Sequence, residues 1–305
     1  MQIKPFLTIS NSRSNGYRLG LTNRFKIDLT RTIMDVQDIE NEFVLERLNS
    51  VGLVNYEKVE SSNKFSRTLS YFSLFTAYPV TLLEKVRNAH IIILGCGGLG
   101  ARLALDLAAL NPNQITLVDP DIVDATNIQR MFWLSDSDVG KYKVDVLKKL
   151  INDISPQTVV TIYPKCAELY IKTERFSGDF IFVTADGEDG AIQLRIGTIL
   201  KDSGIAHMVM GYWESTLVVG PIVDSNSLWN LTDLYQKGDK FERNQYQRDF
   251  IPPSVGFSNS IVAGVAINEW IKYLEYKNTK LLLNQWQFDV ITLSSKYIPI
   301  SEWKN

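Results

Sequence analysis

Short alternating segments open the chain. Lys4–Ile9, Tyr17–Leu21 and Phe25–Leu29 have the length and turn spacing of small strands, separated by Ser-Asn-Ser-Arg-Ser-Asn-Gly and by Thr-Asn. From Val36 to Leu48 the apolar positions Ile39, Phe43, Val44 and Leu48 fall near helical spacing, with Gly52 as a stop. This pattern predicts a small β-rich module with one helix over residues 1–60. Residues 61–80, carrying aromatics and Arg67, are expected to connect it to the rest.

Beyond residue 80 the pattern changes to alternating strand and helix signals. His90–Leu94 is a buried-type strand, Ala101–Leu110 a helix and Gln114–Val118 a second strand running into Asp119. Lys141–Ile151 is helical, with Val144, Leu147, Leu150 and Ile151 on one face. Thr158–Tyr163, Phe180–Thr184 and Ala206–Met210 are further strands, with a helix at Gly190–Leu200 between the last two. Such alternation predicts an α/β class, a Rossmann-like and mainly parallel sheet with helices on its faces, over residues 81–305. Residues 224–253 are polar and without periodicity, and a segment of that length inside a compact domain is more often functional than idle. Ile261–Leu274 then predicts a buried helix and Gln285–Leu293 a closing strand.

Composition narrows the function classes. At 305 residues and 45% apolar the chain can bury a large core, and roughly 150 residues per domain suggests two domains. Lys and Arg number 32 against 34 Asp and Glu, so no global basic field draws in nucleic acid. Cys96 and Cys166 are too few for a disulfide framework or a four-cysteine zinc site. With no signal peptide and no long apolar run, the expectation is a cytoplasmic protein without membrane contact.

The chemistry concentrates around one glycine loop. Leu94-Gly95-Cys96-Gly97-Gly98-Leu99-Gly100 places G-x-G-x-x-G between a strand and a helix. In that context Gly95 permits a tight turn and Gly97 lets backbone approach a phosphate, with Gly98 in the same turn. Gly100 allows close helix–sheet packing, and the helix N-terminus offers N–H groups to an anion. Asp119 ends the second strand, where a carboxylate can accept from ribose hydroxyls. The run Asp119-Pro-Asp121-Ile-Val-Asp124-Ala-Thr-Asn127-Ile-Gln-Arg130 follows, then Val139-Gly-Lys141-Tyr-Lys143. A hydride-transfer enzyme needs no such cluster, whereas Arg130 and one of the two lysines could neutralise a triphosphate while Asn127 orients it. Asp186 ends the strand Phe180–Thr184 at the sheet edge where ligands bind, and is a candidate Mg²⁺ ligand. Singly, each charge reads equally well as a solvated turn; the ordered set does not.

The glycine loop, D-x-D with N-x-x-R, V-G-K-x-K and the strand ending in Asp together resemble the ThiF/MoeB and ubiquitin-activating superfamily, over roughly residues 64–295. The resemblance implies activation of a carboxylate as an acyl-adenylate with ATP and Mg²⁺. It assigns Asp119 to ribose, Asp121 to a place beside the reacting phosphate, Asn127, Arg130 and Lys143 to the triphosphate, and Asp186 to Mg²⁺. Lys64-Phe65-Ser66-Arg67 is similar to the family's R-Y-x-R element, which implies that Arg67 reaches the phosphates of a partner in a homodimer; Lys64 replaces the first Arg. Within the superfamily the chain resembles the microcin C-type peptide-modifying enzymes, through Leu83–Leu94, Met210–Tyr212, Val219–Pro221 and Pro253–Asn259. By that resemblance residues 1–60 are a winged-helix-like clamp that binds the leader of a precursor peptide by strand addition.

The departures from the superfamily carry meaning as well. Relatives bear two C-x-x-C pairs for zinc, and the first position here reads Ser227-Leu-Trp229-Asn230, so no zinc is expected. Residues 187–255 contain no cysteine for a thioester or persulfide relay. The expected chemistry is therefore adenylation of a peptide carboxylate followed by direct attack that cyclises or otherwise modifies the peptide in antibiotic biosynthesis. Activation of a small carrier protein and an NAD-dependent oxidoreductase are the alternatives.

Overall fold

A computed structural model describes residues 2–11, 17–19, 27–29, 42–174, 177–186, 192–200, 203–227, 229, 231 and 253–304. The chain divides into two compact units, Met1–Lys85 and Val86–Asn305. Most of the polar 224–253 segment, the beginning of the predicted 36–48 helix and Asn230 lie outside the described residues.

In the first unit β1 (Gln2–Ile3) pairs antiparallel with β5 (Val54–Asn55), while β2 (Ile9–Asn11), β3 (Tyr17–Leu19) and β4 (Ile27–Leu29) form an antiparallel meander. Helix α1 (Glu42–Asn49) lies between β4 and β5 and buries Leu45 and Leu48. The turn after it closes at Gly52, whose φ of +74° suits glycine. A strand over Lys4–Ile9 does not form. Pro5 fixes φ and carries no N–H, and the chain turns there, with Leu7 N donating to Lys4 O at 3.0 Å.

The expected connector at 61–80 carries one helix and runs into a second. Its first helix, α2 (Ser66–Phe72), has no side-chain cap, and Leu69 and Phe72 are buried on one face, with Phe65 just before it. Burial thus overrides a serine-rich sequence of modest helix propensity. Helix α3 (Pro79–Asn88) begins with Pro at its first position, and Glu57 accepts from Val80 N at 2.6 Å and Thr81 N at 3.1 Å.

The second unit is an eight-stranded sheet. In chain order its elements are β6 (His90–Leu94), α4 (Gly98–Ala108), β7 (Gln114–Val118), α5 (Lys143–Ile154), β8 (Val159–Tyr163), α6 (Ala167–Thr173) and β9 (Phe180–Val183). They continue with α7 (Ile192–Leu200), β10 (His207–Trp213), β11 (Thr216–Val223), α8 (Gly256–Tyr276), β12 (Asn284–Asp289) and β13 (Ser294–Pro299). The spatial order is β13-β12-β11-β10-β9-β6-β7-β8, parallel from β10 to β8 and antiparallel from β10 to β13. This is an α/β, Rossmann-like fold. Ile92, Leu94, Ile181 and Val183 join a core with Tyr170, Ile196 and Leu200. Phe180 and Phe182 pack at steep angles against Trp270 of α8, with ring centroids 6.4 and 6.1 Å away. Burial of both faces explains why these strands read as continuous apolar runs.

Helix α6, strand β11 and strand β13 were not predicted. The β10–β11 turn is Glu214-Ser215, with Glu214 at φ +51° and no glycine to announce it. The predicted closing strand through Leu293 stops at Asp289. Its carboxylate there accepts from Ile291 N and Thr292 N, Leu293 takes φ +55°, and the chain returns as β13. The chain builds β6, β7 and β8 outward on one side, then crosses to β9 on the other side of β6. That reversal opens a crevice at the carboxyl ends of β6 and β9.

Candidate active site

The glycine loop sits at that crevice and is held by packing that only glycine permits. Gly95 has φ +97°, and a Cβ there would lie 2.6 Å from Ala185 N. A Cβ on Gly100 would lie 1.9 Å from Gly95 O and 2.5 Å from Thr184 Oγ1. Gly97, the N-cap of α4, has nothing within 4 Å of its would-be Cβ, so this side of the loop faces open space. The α4 N-terminus therefore offers backbone N–H groups to an anion that enters there.

Asp119 clasps the loop from the end of β7. It is 5% exposed; one oxygen accepts from Cys96 N at 2.5 Å and the other from Asp121 N at 2.8 Å. Burial pushes its carboxyl upward, and the two amides oppose that shift. Each oxygen retains a further lone pair for a ligand. Cys96 is fully buried beside it, and burial pushes its thiol well up, the opposite of an activated nucleophile. Cys166 is exposed at the start of α6.

Asp121 and Lys143 form an ion pair of 2.7 Å in which the lysine side chain is 9% exposed and the carboxylate 59%. The backbone builds this pair. Lys143 N donates to Asp121 O at 2.9 Å, Val123 N to Lys141 O at 2.8 Å and Gly140 N to Val123 O at 2.9 Å. Lys143 opens α5, at the positive end of the helix dipole, where a buried cation needs an anionic partner. Lys141 instead points to Asp138 at 2.9 Å and is 54% exposed, so the structure separates the two lysines that spacing alone left equivalent.

Asn127 is buried and closes a capping box with Asp124, accepting from Asp124 N at 3.2 Å while Asp124 accepts from Thr126 N at 2.8 Å. Arg130 donates to Thr126 O at 2.9 Å, and its Cγ lies 3.7 Å from the would-be Cβ of Gly98. Asp186 is exposed just past β9. Among the described residues no group of three His, Cys, Asp or Glu is placed to hold a metal. Arg67 is exposed on α2 in the first unit, whereas every other predicted site residue belongs to the second.

Two residues missed as site groups stand in the same place. The Asn259 side chain, in the first turn of α8, is 0% exposed, and its Nδ2 has no hydrogen-bond partner and lies 2.5 Å from the would-be Cβ of Gly98. The Tyr212 hydroxyl, on β10, is buried without a well-formed hydrogen bond. Burial pushes it up to about 12 against the Ser254 and Ser258 hydroxyls beside it, with Arg130 and Asp186 in electrostatic reach. Their segments resemble those of the peptide-modifying enzymes, but a buried donor without a partner has no sequence signal of its own.

The ThiF family model matches residues 70–305. The chain belongs to the ThiF family. Among solved structures, MccB of E. coli with MccA superposes with a TM-score of 0.80 at 18% identity, covering 98% of this chain and 96% of that one. PaaA gives 0.74 at 21% identity, covering 96% and 98%. At these identities the likeness shows the fold. Among curated relatives in the ThiF match, the adenylyltransferase and sulfurtransferase UBA4 of Scheffersomyces stipitis is 29% identical over 147 residues, 47% of this chain and 33% of that protein. The tRNA threonylcarbamoyladenosine dehydratase of Bacillus subtilis is 42% identical over 78 residues, 26% and 31%. The chain thus covers a third or less of the length of these two curated relatives. Among the described residues of this ThiF protein, no helix is long and apolar enough to cross a membrane.

Proposed function

We propose that this chain uses ATP to adenylate a carboxylate of a ribosomally made precursor peptide, and that a nucleophile of the same peptide then displaces AMP. The observation that carries the reading is the reach of the structural likeness. The family match begins at residue 70, yet the likeness to MccB, solved with MccA and with ATP, covers 98% of the chain and so includes the N-terminal unit. A small antiparallel meander there suits peptide capture by strand addition.

In the adenylation step a carboxylate oxygen bonds to the α-phosphorus, and the bond to the bridging oxygen breaks, with pyrophosphate taking the electron pair. Gly97 and the α4 N-terminus receive phosphate, and Asp119 holds the loop in shape while facing ribose. Lys143 exchanges Asp121 for phosphate oxygens, with Arg130 and Asn127 alongside, so charge on the leaving group meets cations already in position. Asp186 is the carboxylate that would hold Mg²⁺, an ion that takes one or two carboxylates beside phosphate oxygens and would there neutralise charge on the phosphates. Binding the peptide makes the second step intramolecular. Arg67 belongs to a partner's site in a homodimer on this reading.

Incubation with MgATP and candidate precursor peptides is expected to give AMP, pyrophosphate and a peptide mass loss; no peptide-dependent AMP with any short peptide from the genomic neighbourhood contradicts the reading. Asp186→Asn should abolish AMP formation while leaving the thermal midpoint unchanged, and retained turnover removes its role. A second reading, activation of a carrier protein, is favoured by relatives such as UBA4. The absence of cysteine in residues 187–255 weighs against the relay version of that chemistry. Deleting residues 1–60 separates the two, since only peptide modification should need them.

A further inference from the structure

The groups along the carboxyl edge of the sheet follow the strand order. Asp119 and Asp121 stand after β7, the glycine loop after β6, Asp186 after β9 and Tyr212 near the end of β10. On the functional reading above, the nucleoside lies toward β7 and the phosphates over β6. The space beyond, at β9, β10 and the first turn of α8, then falls to whatever reacts with the α-phosphate. Two buried donors border it: the Tyr212 hydroxyl, which has no well-formed hydrogen bond beside Ser254 and Ser258, and Asn259 Nδ2, which has no partner.

A buried donor without an acceptor is costly, and native folds keep few of them. Tyr212 stays protonated across the working pH range, because burial holds its hydroxyl far above neutrality. It is therefore a donor and not a base. Ser258 has its own proton on Val255 O at 2.9 Å, and Ser254 approaches Asn259 Oδ1 at 3.5 Å, which leaves Nδ2 as the free end of that amide. Asn259 Nδ2 also abuts Gly98 at the start of α4. In an acyl-adenylate the acyl carbon is one bridging oxygen from the α-phosphorus, so a donor bordering the phosphate-binding helix end, without belonging to it, stands where acyl oxygen arrives.

We propose that the Tyr212 hydroxyl and the Asn259 side-chain amide form the acyl-oxygen subsite, donating to the substrate carboxylate as it attacks and to the carbonyl oxygen of the acyl-adenylate. This assigns the substrate side of the site to the peptide's acyl group, entering between β10 and α8, and it rests on the adenylation reading.

The test compares calorimetric affinities of the full chain for ATP, 5′-O-sulfamoyladenosine and 5′-O-(N-acetylsulfamoyl)adenosine, a stable acyl-adenylate mimic. Wild type should bind the acetylated probe on the order of tenfold more tightly than the unacylated one. Tyr212→Phe and Asn259→Leu should each lose most of that preference while keeping ATP affinity within about twofold and their thermal midpoints at or above that of wild type. Equal loss for ATP and for the acetylated probe would place the two residues on the phosphates and overturn the assignment. So would an undiminished preference in both variants, or no preference in wild type. If wild type binds none of the three, the adenylation reading itself fails, which is a different result from binding ATP without acyl discrimination.

Discussion

The two flanks of the crevice are built on opposite rules. On the β7 flank the polar groups named here already have partners. Asp119 accepts from two backbone amides, Asn127 and Asp124 cap each other's turn, and Lys143 is paired with Asp121. On the β10 flank Asn259 Nδ2 is buried without a partner and the buried Tyr212 hydroxyl has no well-formed hydrogen bond. The contrast teaches where each partner is expected. On the adenylation reading, a nucleotide would meet a rigid frame needing one ion-pair exchange, and the second substrate would meet groups whose hydrogen bonds await it.

The largest effect tests the rigidity of the first flank. Gly100→Val puts carbon within 1.9 Å of Gly95 O, so it should destabilise the fold by about 3 kcal/mol or more in chemical denaturation. A well-folded variant would show the loop to be deformable. Next comes Lys143→Met, which should cut AMP formation by about a hundredfold or more. Its stability should change by less than about 1 kcal/mol, because Asp121 stays solvated when left behind. Loss of the fold with activity in proportion would make the pair structural.

A smaller change sharpens the comparison further. Gly97→Ala meets no atom within 4 Å and φ is −67°, so stability should move by no more than about 0.5 kcal/mol. ATP affinity should nevertheless fall by about tenfold, since the methyl occupies the space a phosphate needs. Unchanged affinity would move the nucleotide elsewhere.

The smallest effect is on pH. Burial lowers His207 below its ordinary 6.5, so the unfolded chain binds the proton more tightly than the native one. Its contribution to stability is full above about pH 6.5 and is lost as pH falls toward the lowered native value. His90 is lowered in the same direction, again mainly by burial. The thermal midpoint should drop by a degree or a few through that range, less steeply in His207→Gln; an equal slope in the variant would remove His207 as the source.

These flanks also differ in how far the sequence discloses them. The β7 flank is legible because its constraints are local: β6 and β7 match their predicted bounds, and a glycine loop followed by an acid is a matter of spacing. The β10 flank is assembled from Tyr212, Ser254, Ser258 and Asn259, where contact depends on β11 turning back at Glu214 and on α8 starting at Gly256. The turn at Glu214 carries no glycine, and the N-cap of α8 is Val255, whose side chain cannot cap. The helical character of 66–72 escaped for a related reason, since burial of Leu69 and Phe72 decides it against a serine-rich composition.

The most direct test of adenylation follows oxygen. A precursor peptide that supports AMP formation is prepared with heavy oxygen in its carboxylates and turned over with MgATP, and the AMP released is weighed by mass spectrometry. Attack of a carboxylate on the α-phosphorus predicts AMP carrying one heavy oxygen from the peptide. AMP free of label, or ADP and phosphate in place of AMP, would contradict it.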